Sequence, residues 1–89
     1  MNKSNDENTE KLLAIGPAAK LAGVSRQSMQ YYLMVGLIAP THTKDSGRRL
    51  FDVKTIEKVK LIKNLNQSGY PLRAIRDLFM EKNRIAKGE

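Results

Sequence analysis

An 89-residue chain has room for one small domain, and a domain of that size buries only about 60 to 65% of its unfolded surface, which leaves little depth for an enzyme cleft. Without cysteine there are no disulfides, thiolate metal sites or thiol redox sensing, and His42, the sole histidine, makes neither a metal site nor a triad by itself, so no enzyme, metal or cofactor is expected. The net charge of +7 is unevenly spread, because residues 1–10 hold one lysine against Asp6, Glu7 and Glu10, leaving fifteen basic against six acidic groups, a balance of +9, over residues 11–89.

Residues 1–11 read as a flexible tail, since they are polar and charged with no aromatic and lack the apolar surface to offset ordering entropy. Their acidic start is unlike a signal peptide, and no apolar run approaches the roughly 18 residues of a membrane span, so the sequence reads as cytoplasmic. A domain is expected over residues 12–80, followed by a C-terminal extension at 81–89. Leu12, Leu13 and Ile15 form a short apolar run that Gly16 and Pro17 punctuate. Pro17 suits a first helical position, which predicts a short helix from Pro17 to Ala22 stopped by a left-handed cap at Gly23.

Ser25 suits the N-cap of a second helix from Arg26 to about Val35, closed by Gly36. A short helix, a tight turn and a capped helix make a helix-turn-helix. Between Leu37 and Phe51, Pro40, the polar run Thr41 to Ser46 and Gly47 predict a β-hairpin wing turning near Asp45 to Gly47. Asp52 can cap a third helix, in which Val53, Ile56, Val59, Ile62 and Leu65 recur every three residues beside a lysine-rich face, and Gly69 ends it. Pro71 opens a fourth, with Leu72, Ile75, Leu78 and Phe79 on one stripe and Arg73, Arg76 and Glu81 off it. The fold class is therefore mainly α, a winged helix-turn-helix of four helices with a short β-hairpin wing.

On the second helix, 100° per residue places Met29, Tyr32 and Leu33 on one side and Gln27, Gln30, Tyr31 and Met34 opposite. The first set is expected in the core. A cationic domain concentrates polyanions, and nucleic acid is the usual one, although composition alone also admits an anionic membrane or an acidic protein. On that reading Gln27 and Gln30 are placed to pair bidentately with adenine, against the plain alternative of two ordinary surface glutamines. The Tyr31 hydroxyl can donate to a phosphate. Arg48 and Arg49, beside Gly47, suit a minor groove or phosphates, and strand alternation requires only one of them to face DNA. Lys54, Lys58, Lys60 and Lys63 read as a solvated face, and His42 as a surface residue of the wing.

The stretch Ile15 to Ser25 resembles the opening of MerR-family transcription regulators, in which a first helix leads through Gly-Val-Ser into the recognition helix. Tyr31-Tyr32 with Gly36-Leu37-Ile38-Ala39-Pro40 resembles the exit of that helix, Gly47-Arg48-Arg49-Leu50-Phe51-Asp52 the wing, and Leu61 to Leu65 with Gly69 to Ile75 the helix pair behind it. The resemblance implies sequence-specific binding of double-stranded DNA and regulation of transcription, with RNA polymerase as a candidate partner. It also makes the turn holding Tyr70 and Arg73 a second wing. The candidate DNA-binding set is Ser25, Arg26, Gln27, Gln30, Tyr31, Arg48, Arg49, Tyr70 and Arg73.

The family often carries arginine where Gln27 and Gln30 stand, so base preference does not transfer. Its full-length members continue into a coiled-coil dimerisation helix and an effector region, whereas this sequence reads as a fragment or as a single-domain relative similar to small excisionases. An excisionase-like, DNA-bending role is the alternative within nucleic-acid binding, and a basic module for protein or membrane the alternative outside it. Since Glu81 to Glu89 contains only Ile85 and Ala86 as apolar residues, it cannot continue a coiled-coil seam. A monomer in free solution is expected, and on DNA two arrangements stay open, a single domain on one half-site bound weakly or cooperative side-by-side assembly of several copies.

Overall fold

The computed structural model describes residues 11–86, with side chains up to Glu81, so the expected tail, apart from Lys11, lies outside the described residues. In chain order the elements are β1 (Leu13–Ala14), α1 (Ile15–Ala22), α2 (Arg26–Met34), β2 (His42–Thr43), β3 (Arg49–Phe51), α3 (Val53–Gln67) and α4 (Leu72–Ala86). The strands form one antiparallel sheet in the order β1-β3-β2, with Leu13 opposite Phe51, Ala14 opposite Leu50, His42 also opposite Leu50, and Thr43 opposite Arg49. The fold is a mainly helical winged helix-turn-helix.

Two features differ from the sequence expectation at its start. The apolar lead-in contributes a third strand, and α1 begins at Ile15, two positions before Pro17. A two-residue strand has no period to detect. Pro17 fits anywhere in the first turn, where backbone N–H groups have no intrahelical acceptor and a missing one costs nothing. Ala18, Ala19 and Ala22 are the buried residues of α1, and their small side chains let α1 lie close against α3, its main helical neighbour besides α2.

The core joins those alanines to Met29 and Tyr32 of α2, Leu37 and Ile38 after it, Phe51 of β3, Ile56, Val59 and Ile62 of α3, and Ile75 of α4. Full burial of each large member contributes about 1.5 to 3 kcal/mol. Val53 and Leu78, expected on core stripes, are instead 51% and 59% exposed. Helix geometry gives the reason. A spacing of three falls about 60° short of a full turn at each step, so five such positions sweep too wide an arc to share one face. In α3 only the central Ile56, Val59 and Ile62 are fully buried, with Leu65 packed partly against them. In α4, Leu72 and Phe79 lie to one side of Ile75 and pack against the core, whereas Leu78 falls to the other.

The wing is tied to α3 by a cluster of short-range bonds. Asp52 caps α3 as expected, its Oδ1 accepting from the Thr55 N–H at 2.9 Å. The Thr41 hydroxyl accepts from the Asp52 N–H at 3.0 Å and lies 3.3 Å from the Thr55 hydroxyl, while the Thr41 N–H donates to the Leu50 carbonyl at 2.9 Å. The backbone bond from Thr55 holds the Asp52 carboxyl below the ordinary aspartate value, outweighing partial burial, with further help from the Thr55 and Thr41 hydroxyls and the Lys54 charge.

Candidate nucleic-acid interface

The orientation of α2 is fixed at both ends. Gly23 closes α1 in a left-handed conformation, φ 80°, with its N–H on the Lys20 carbonyl and the Val24 N–H on the Ala19 carbonyl. That pattern satisfies the last carbonyls of α1. A Cβ at Gly23 would stand 3.0 Å from Lys63 Nζ, the far end of a side chain that can move aside, so the demand for glycine comes from the positive φ. Ser25 then starts α2, its Oγ accepting from the Ser28 N–H at 3.0 Å and donating to the Ser28 hydroxyl at 3.0 Å. At the far end the N–H groups of Gly36, φ 85°, and Leu37 return to the carbonyls of Leu33 and Tyr32.

Between those ends the two faces separate as the sequence indicates. Met29 and Tyr32 are buried, and burial pushes the Tyr32 hydroxyl above its ordinary pKa. Gln27, Gln30, Tyr31 and Met34 are exposed on the opposite face. Two clefts border that face. The first, about 250 Å³, lies between the start of α2 and the wing and is lined by Ala14, Ile15, Arg26, Gln30, Gly47, Arg48 and Arg49. Both wing arginines reach it, because Arg48 precedes β3 and is not bound by strand alternation.

The second cleft, also about 250 Å³, lies between the end of α2 and the start of α4 and is lined by Tyr31, Val35, Leu72, Arg73 and Arg76. Arg76, which the sequence reading set aside as merely off the apolar stripe, donates from Nε to the Val35 carbonyl at 2.8 Å. That carbonyl lies just past the end of α2, where helix carbonyls lack intrahelical partners and cations are favoured. No local pattern signals a partner 41 positions away.

The sequence-derived set is thus distributed around α2. Arg26, Gln30, Arg48 and Arg49 meet in the wing-side cleft, and Tyr31 and Arg73 in the other. Gln27 and Tyr70 are exposed without lining either, and the Ser25 hydroxyl is engaged in the cap. Among the described residues, no ion pair holds Arg26, Arg48, Arg49 or Arg73, so their charge is uncompensated. Of the α3 lysines only Lys60 is in an ion pair among the described residues. Lys60 pairs with Glu57 at 3.3 Å, Lys58 stands over the Phe79 ring at 5.1 Å, and Lys63 lies against the Gly23 turn. Among the described residues, no three or more histidine, cysteine or acidic groups gather in a way that could hold a metal ion.

The family model described as MerR HTH family regulatory protein matches residues 13–82. The chain belongs to the MerR family. Among curated MerR-type relatives, the HTH-type transcriptional regulator AdhR of Bacillus subtilis is 36% identical over 76 residues, covering 82% of this chain and 54% of its own. GlnR of Bacillus anthracis is 31% identical over 77 residues, covering 86% and 59%. This chain therefore spans little more than half the length of these two relatives. Among solved structures, HiNmlR, a MerR family regulator lacking the sensor domain and bound to promoter DNA, superposes with a TM-score of 0.72 at 26% identity, over 83% of this chain and 58% of that one. A MerR family regulator from Bacillus cereus gives 0.71 at 20% identity over 78% and 52%, a likeness of fold.

Proposed function

We propose that this chain binds double-stranded DNA in a sequence-specific manner and regulates transcription, with α2 in the major groove and the two clefts on the phosphates that flank it. The observation that carries this reading is the arrangement of uncompensated arginines on both sides of an exposed, uncharged helix face. Cations at the edges suit the backbone, which positions without reading sequence. Gln27 and Gln30 read bases, while Arg26, Arg48, Arg49, Tyr31 and Arg73 hold phosphates. Tyr70, at the α3–α4 turn, extends the clamp, and Ser25 presents the start of α2 to the backbone.

The relatives support the same role, since AdhR is named a transcriptional regulator and HiNmlR was solved on promoter DNA. The work would take place in the cytoplasm with RNA polymerase as a partner, and it needs no catalysis and no cofactor. Among the described residues no helix is long and apolar enough to cross a membrane.

Selection of bound sites from random duplexes tests the proposal. A reproducible motif is expected, and on that motif log affinity should fall against log salt with a slope of roughly −4 to −5, corresponding to about 4 to 6 neutralised phosphates. A slope near zero, or retention of all sequences alike, would overturn it.

A further inference from the structure

The most exposed large apolar side chain among the described residues is Met34, at 74%. It occupies the last position of α2, on the stripe that carries Gln27, Gln30 and Tyr31. At 100° per residue these four positions fall within an arc of about 100°. None of the four bears a formal charge, although the chain as a whole carries +7. The cations around α2 lie instead in the clefts on either side.

That neutrality has a chemical consequence in a major groove. Guanine offers two acceptors, N7 and O6, which call for arginine or lysine; adenine offers an acceptor beside a donor, which matches a glutamine amide; thymine offers an acceptor and a C5 methyl group, which matches an apolar side chain. The stripe supplies two glutamines, a tyrosine and a methionine, and the one cation of α2, Arg26, stands about 40° beyond Gln30 in the wing-side cleft. Methionine is unbranched and polarizable and adapts to small apolar groups. Length fits as well. Gln27 to Met34 spans about 10 Å of helix rise, close to three base-pair steps of about 3.4 Å, and a helix about 10 to 12 Å across fits a groove about 12 Å wide.

We infer that α2 reads A·T base pairs and that Met34 is a specificity-determining residue, its thioether arm resting on the C5 methyl of one thymine. The inference deepens the DNA-binding reading above and rests on it. Burial of one methyl against Met34 corresponds to about a three- to fivefold gain in affinity.

Deoxyuridine differs from thymidine only in lacking that methyl, and so gives a direct test. In the preferred duplex obtained by selection, each thymine is replaced singly by deoxyuridine and the affinities of wild type and Met34→Ala are measured. Wild type should lose about three- to fivefold at one thymine, Met34→Ala should be weaker on the unmodified duplex by the same factor, and its affinity should not change when that thymine is replaced. Gln30→Ala should keep the methyl effect while losing preference at a different base pair. Because Met34 lies outside the core, Met34→Ala should keep the wild-type circular dichroism and melting temperature. Identical deoxyuridine profiles for wild type and Met34→Ala, or a selected motif without A·T pairs at its invariant positions, would overturn the inference while leaving sequence-specific binding intact. Failure to obtain any motif would overturn both.

Discussion

Asp52 is the residue at which the wing, the sheet and α3 are joined, and its carboxylate is the group whose charge the fold most clearly favours. In the folded chain its pKa is lowered, chiefly by the bond from the Thr55 N–H; in the unfolded chain it has the ordinary value near 3.9. The native state therefore holds this proton less tightly than the unfolded one. The resulting stabilisation is complete above about pH 5 and is lost as pH falls past the unfolded value and through the lowered folded one. Asp52→Asn keeps an oxygen for the cap but removes the titration, so its unfolding midpoint in urea should decline less with acid than that of wild type. Asp52→Ala should cost about 1 kcal/mol even at neutral pH. Equal acid dependence in wild type and Asp52→Asn would mean that another carboxylate dominates. Ser25 and Asp52 were legible as caps because a cap is a local event, one oxygen and a backbone N–H three positions on. Thr41 was not, because its partners Asp52 and Thr55 lie 11 and 14 positions away.

Among the elements, four helices and a hairpin followed from glycine and proline punctuation and from apolar periodicity, which are properties of a few adjacent residues. The departures arose where a period was too short to register, as in β1, or too long to stay on one face, as in α3. How α2 meets α4 depends on a contact no periodicity encodes, the bond from Arg76 to the Val35 carbonyl. This bond fixes the second cleft and with it the spacing of Tyr31 and Arg73. Arg76→Ala leaves a part-buried carbonyl without its donor and should cost about 1 to 2 kcal/mol of stability. Arg76→Lys keeps the charge but not the Nε geometry, so it should lose most of that stability while preserving the salt slope of DNA binding. Chemical unfolding and salt titrations of both variants check this. Should Arg76→Ala instead unfold like wild type and bind with a shallower slope, Arg76 would be a phosphate contact rather than a fastener of helices.

For the molecule as a whole, the balance of charge over residues 11–89, +9, opposes the close approach of free copies. Among the described residues, the surface of α4 offers little to offset that repulsion. Leu78 and Met80 are exposed there, but Glu81 to Glu89 adds only Ile85 and Ala86 as apolar residues, and a coiled-coil seam needs apolar positions every three or four residues over several heptads. The 89-residue chain should therefore sediment as a monomer at micromolar concentration. DNA changes the balance, because phosphates neutralise much of the charge that keeps copies apart. Copies that meet only on the duplex, without a two-fold axis joining them beforehand, have no reason to prefer inverted half-sites, whereas head-to-tail contacts between neighbours generate repeats in one direction. Binding should thus be cooperative on direct repeats, and on inverted repeats no tighter than two independent sites would give. Sedimentation of the free chain and gel-shift titrations on direct, inverted and single sites measure both halves of this prediction. A stable dimer without DNA, or a strict requirement for inverted repeats, would show that the outer face of α4 and the residues after it form an interface of their own.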